Sequence, residues 1–98
     1  MITGTLRLDL LLGDVHSLKE KRSIVRPIVA EIARRYQVSV AETGQQELHR
    51  RAEIGIAVVT GDHTHCRDVL DACERLVAGR PEVELLGAQR RLYDSDDD

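Results

Sequence analysis

Alternating hydrophobic runs broken by two amphipathic stretches predict an α+β fold of element order β-α-β-β-α-β. Three observations carry that prediction. The first strand-like run alternates without a fault, two segments repeat their apolar residues at helical spacing, and polar or Gly-Asp breaks separate the pieces. A chain of 98 residues is large enough for one small two-layer domain.

From Ile2 to Leu12 one face holds Ile2, Gly4, Leu6, Leu8, Leu10 and Leu12. The other holds Thr3, Thr5, Arg7, Asp9 and Leu11, the pattern of a half-buried strand. Gly13-Asp14 breaks it. Ser17 to Arg35 is helical, with Leu18, Val25, Ile28, Val29 and Ile32 on a core-facing stripe. Ser17 and Glu20 have the S-x-x-E spacing of a capping box. Pro27 removes a backbone hydrogen bond inside this helix, which predicts a kink. The alternative is a separate segment formed by the first turns.

Tyr36 to Glu42 alternates again as a second strand, and residues 43–46 are a polar turn. Arg51 to Thr60 is the third strand. Ala52, Ile54, Ile56 and Val58 share one face; Glu53, Gly55, Ala57 and Val59 share the other. Gly61-Asp62 ends it. A second helix runs from about His63 to Ala78, with Cys66, Val69, Leu70, Cys73, Leu76 and Val77 as its stripe. Asp62 and Thr64 are candidate N-caps, and Gly79 with Pro81 stops the helix. Glu82 to Tyr93 is the last strand. Its apolar residues change parity between Leu85 and Leu86, which calls for a bulge near Gly87. Right-handed crossovers then give a four-stranded antiparallel sheet of order 4-1-3-2 with two helices on one face, a ferredoxin-like sandwich. It spans residues 1–93. Residues 94–98 form an acidic tail that reads as solvated and disordered, or as an arm screening a basic face.

The formal net charge is −3, but that tail carries four of the carboxylates, so the body leans positive. Cys66 and Cys73 are too few and too far apart on one helix for a disulfide framework. No run is apolar enough to span a bilayer, and the first residues lack a signal-peptide pattern. The expected location is the cytoplasm.

Three blocks stand out: Ser17-Leu18-Lys19-Glu20-Lys21-Arg22, then Val38-Ser39-Val40-Ala41-Glu42, then the stretch from Glu47 to Val59. In this order and spacing the chain from Ile2 to about Leu92 resembles the YlxP-like family of small bacterial proteins, a domain of unknown function. The resemblance implies a ferredoxin-like fold and a gene context shared with transcription-elongation, translation-initiation and ribosome-binding factors. It implies no enzymatic activity. Pro27 departs from the ordinary helix former usual there, and His49 stands where many relatives carry Trp.

Cations at the start of the first helix run against its dipole. Lys19, Lys21, Arg22 and Arg26, with Arg50 and Arg51 from the third block, form the candidate anion-binding set. Free N–H groups beside such cations predict a site for a phosphate or carboxylate at the first turn. Clustered cations also suit phosphate-backbone contact, and with the implied gene context the expected partner is structured RNA or a ribosome-assembly intermediate. The plain reading of the same charges is a solvated helix face.

Other chemistries fit less well. The chain has no Phe or Trp, and Arg7, Asp9, Gly55 and Ala57 occupy the outward central-strand positions, so base stacking on the sheet is not expected. Leu11, Ala41, Ala57 and Val59 on that face predict cover by a second subunit, hence a homodimer. His63-Thr64-His65-Cys66 offers metal donors, but Cys66 lies on the apolar stripe, so no metal or other cofactor is expected. Ser17 beside His16 is accounted for as a cap, and the first loop lacks the arginine-bearing glycine-rich sequence of acylphosphatases, so no enzyme is expected. Glu42 is expected to pair with Arg50 or Arg51. The rival to the RNA reading is a dimeric protein-interaction or small-ligand regulatory module, as in amino-acid-sensing domains of this fold.

Overall fold

The structure is a computed structural model and describes residues 1–95. Strand β1 (Ile2–Leu12) leads into helix α1 (Leu18–Arg35), then β2 (Ser39–Gly44), β3 (Arg51–Thr60), α2 (His63–Ala78) and β4 (Val83–Asp94). The four strands form one sheet of order β2-β3-β1-β4, and every neighbouring pair is antiparallel. This is the ferredoxin-like α+β sandwich that the patterning predicts. No helix among the described residues is long and apolar enough to cross a membrane.

Alternation in the central strands sorts the core. Ile2, Leu6, Leu8, Leu10 and Leu12 of β1 and Ala52, Ile54, Ile56 and Val58 of β3 are buried under the helices. Val25, Ile28 and Ile32 of α1 and Cys66, Leu70, Cys73 and Val77 of α2 close over them. The close approach of α2 depends on Gly4. A Cβ there would sit 2.5 Å from Cys66 Sγ and 3.0 Å from Leu70 Cδ1, so only a glycine lets the helix settle on the strand.

The bulge near Gly87 is present: Asp9 pairs with Gly87 and Leu10 with Leu85, leaving Leu86 as the extra residue. A second irregularity, in β2 between Glu42 and Gly44, is not apparent from the alternation. The start of β2 also differs. Tyr36 caps α1 by donating its N–H to Ile32 O at 3.0 Å, and the strand begins only at Ser39. Alternation at Tyr36 and Val38 reflects their packing against the core, not strand pairing. Helix α1 runs unbroken through Pro27, which sets aside the separate-segment alternative. The proline ring is exposed, so water can reach the carbonyl it leaves unbonded.

The acidic run starts inside the sheet. Asp94 is the last residue of β4, opposite Ile2, and Ser95 donates its N–H to Met1 O at 3.1 Å. Residues 96–98, the rest of the expected disordered tail, lie outside the described residues.

Candidate functional site

Helix α1 sorts its charges by face. Leu18, Lys21, Val25, Ile28 and Ile32 recur every three or four residues, so they share the stripe that meets the sheet. Lys19, Arg22 and Arg26 recur at the same spacing on the outer side, and Arg34 falls two turns beyond Arg26. All four are exposed. Lys19, Arg22 and Arg26 border a shallow hollow of about 350 Å³ with Ser23 and Pro27.

The two acidic residues of the helix do not neutralise this stripe. Glu20 Oε2 accepts the N–H of His16 at 3.3 Å, while Ser17 Oγ accepts the N–H of Glu20 at 3.1 Å. Glu31 pairs with Arg35 at 3.3 Å and also with Arg80 in the connection that follows α2. Among the described residues, Lys19, Arg22, Arg26 and Arg34 have no carboxylate at ion-pair distance. Only the Ser17 half of the capping box forms, since the Glu20 carboxylate takes the N–H of His16, one residue before the cap, and the exposed cations lie along the side of α1.

Lys21 does not belong to that surface. It is 2% exposed, and its ammonium donates to Gln45 O at 2.6 Å and Leu48 O at 2.9 Å. Its third neighbour is Glu42 Oε2 at 3.0 Å. A buried ammonium is tolerable only when its charge and donors are met, and here two carbonyls take two of the donors while the Glu42 carboxylate balances the charge. The contact geometry favours the two carbonyls, because Glu42 Oε2 is buried without a well-aligned hydrogen bond. Lys21 therefore pins the β2–β3 connection to the start of α1. That connection needs pinning: Gln45 has φ of 61°, a left-handed conformation that side chains disfavour. Glu42 pairs with Lys21, not with Arg50 or Arg51 as the sequence suggested.

The remaining two candidates part company. Arg50 is held at the end of the sheet, its Nε donating to Gly13 O at 2.8 Å and Leu12 O at 3.3 Å. Arg51 is opposite Leu11 on the outward parity of β3, so it belongs to the open face of the sheet, away from α1. Its Nε is buried without a partner. Of the six cations singled out from the sequence, three share the outer side of α1, one is internal, and two sit at the sheet end. Arg34, outside that set of six, joins the stripe by its spacing.

The other suspected sites separate as well. Cys66 and Cys73 are fully buried, and burial pushes both thiols up; for Cys66 the charges of Arg90 and Arg67 offset part of the rise. The His63 ring lies 2.8 Å from Asp94 Oδ2, tying the end of β4 to the first turn of α2. Asp62 caps that turn by accepting the N–H of Thr64 at 3.0 Å. Among the described residues no three His, Cys, Asp or Glu side chains converge as metal ligands would. The His16 ring faces Asp14 at 2.9 Å while Ser17 serves as a cap, so the two do not form a nucleophile–base pair.

These features define a small ferredoxin-like α+β sandwich with a cationic outer helix and a lysine-pinned loop. Residues 3–90 match the model of a family described as Protein of unknown function (DUF503), and the chain belongs to that family. It is 28% identical over 81 residues to the uncharacterized protein YlxP of Bacillus subtilis (strain 168), an alignment covering 83% of this chain and 88% of that one. Among solved structures it is similar to a mutant of SnoaB, a cofactor-independent oxygenase from Streptomyces nogalater. The TM-score is 0.53 at 13% identity, over 95% of this chain and 92% of the other. At that identity the likeness concerns the fold alone.

Proposed function

We propose that this protein is a non-enzymatic module that contacts structured RNA, free or within a ribosome-assembly intermediate, through the outer side of α1. The observation that carries this reading is the stripe of Lys19, Arg22, Arg26 and Arg34, exposed and, among the described residues, without carboxylates at ion-pair distance. Cations that the fold leaves uncompensated along about four helical turns can follow a phosphate backbone, because such contacts require charge and spacing but no base recognition. Lys21 leaves the contact set, being a structural residue. Arg50 and Arg51 leave it too, because Arg50 is engaged by the carbonyls of Leu12 and Gly13 and Arg51 is on the sheet face turned away from α1.

The test is retention of a labelled structured RNA by Lys19→Ala/Arg22→Ala/Arg26→Ala against the parent chain. Loss of about three phosphate contacts lowers affinity tenfold or more near physiological salt, without dependence on RNA sequence. The variant keeps the circular dichroism of the parent, since none of the three side chains is buried. Equal retention by a folded triple variant would remove the basis of the proposal.

A further inference from the structure

The face of the sheet turned away from both helices has two unlike halves. On β2 and the Gly55–Val59 part of β3 it presents Ser39, Ala41, Gly55, Ala57 and Val59, small or apolar residues without a charge, with Arg51 and Glu53 at the other end of β3. With Thr5, Arg7 and Thr43 at the rim, most of them enclose a hollow of about 320 Å³. On β4 the same face carries the longer side chains of Gln89, Arg91 and Tyr93, opposite Arg7, Thr5 and Thr3. One half is a depression and the other a ridge. At one end of the face, Val59 and Tyr93 flank Thr3 and are 67% and 53% exposed.

The charges on this face balance, unlike those on α1. Arg7, Arg51 and Arg91 are matched by Asp9, Glu53 and Glu84, and Arg7 lies 3.7 Å from Glu53. A neutral face offers a polyanion no counterion-release gain. It does suit a copy of itself, which brings the same balanced charges. Its size fits too. Strands about 4.8 Å apart and about 30 Å long give a four-stranded face of roughly 500 Å² in projection. The accessible area of a pleated face exceeds its projection, and a specific dimer uses about 600–1,000 Å² from each partner.

We infer that the occupant of this face is a second copy of the chain. The two sheets pack face to face, with the β4 ridge of each copy over the β2–β3 hollow of its partner. A twofold axis parallel to the strands makes both contacts at once, giving a closed, isologous interface. Val59 and Tyr93 then leave solvent together. This inference does not rest on the RNA reading, because α1 is on the opposite layer.

Sedimentation equilibrium at micromolar concentration tests it. The parent chain is expected at twice its 11.0 kDa monomer mass. Ala57→Arg fills the hollow with a charge and is expected to sediment as a monomer with unchanged circular dichroism. Val59→Arg, at a side chain already open to solvent, gives the same readout should Ala57→Arg fail to fold. Lys19→Glu on α1 remains dimeric. A parent chain that is monomeric throughout, or a dimer that persists in folded Ala57→Arg and Val59→Arg, overturns the inference. The second outcome would mean pairing through a strand edge.

Discussion

Lys21→Met keeps the length of the side chain and removes its charge and donors. Leu48 O loses the ammonium, Gln45 O keeps only the N–H of Leu48 at 3.1 Å, and Glu42 Oε2 loses the cation 3.0 Å away. Removing one member of a buried ion pair costs about 3–5 kcal/mol. Glu42 keeps some water, its side chain being 24% exposed, so the low end, about 3 kcal/mol, applies. That is a large share of the roughly 5–15 kcal/mol holding a small domain together. At about 4–8 °C per kcal/mol for a domain near this size, Tm falls by about 12–24 °C. Urea unfolding followed by circular dichroism is the assay, with a lower midpoint at unchanged slope. Lys21→Met/Glu42→Gln should regain part of the loss, because the stranded carboxylate is gone. Lys19→Met, on the exposed side, stays within about 0.5 kcal/mol of the parent. If Lys21→Met also stays within that margin, the pinning role is wrong.

Gly4→Ala should destabilise by about 1–3 kcal/mol, because its Cβ drives α2 off the sheet at Cys66 and Leu70; an unchanged urea midpoint would contradict that packing. The buried thiols predict a pH effect. Desolvation raises both Cys66 and Cys73 above 9.0, so the unfolded chain loses these protons first as pH climbs past that value. Stability then declines from about pH 9 upward, more steeply than in Cys66→Val/Cys73→Val, until the folded thiols ionise. Parallel stability–pH curves for the two proteins would refute this.

Which parts of the molecule could be read from the sequence follows from where the information resides. The strands of the sheet centre were legible because β1 and β3 are buried on one face only, so alternation reports burial directly. The bulge in β4 was legible because it moves apolar residues to the other parity. The irregularity in β2 was not, since Thr43 and Gly44 carry no apolar signal to displace. Lys21 is instructive. Its spacing from Leu18 and Val25 puts it on the buried stripe, a signal present in the sequence but outweighed by its charge. Its partners were beyond reach, because two are backbone carbonyls in a loop whose path depends on Gln45 at positive φ. Arg50 and Arg51 are neighbours in sequence, yet strand parity sends their side chains to different surroundings.

The central claim is that the outer side of α1 is an electrostatic contact for RNA, and the salt dependence of binding tests it most directly. Fluorescence anisotropy with a labelled structured RNA, over a series of salt concentrations, gives the slope of log affinity against log salt. Replacing Lys19, Arg22 and Arg26 by Ala should flatten that slope by about 2–3, matching the loss of three phosphate contacts. Parent and folded triple variant sharing one slope and one affinity would contradict the account.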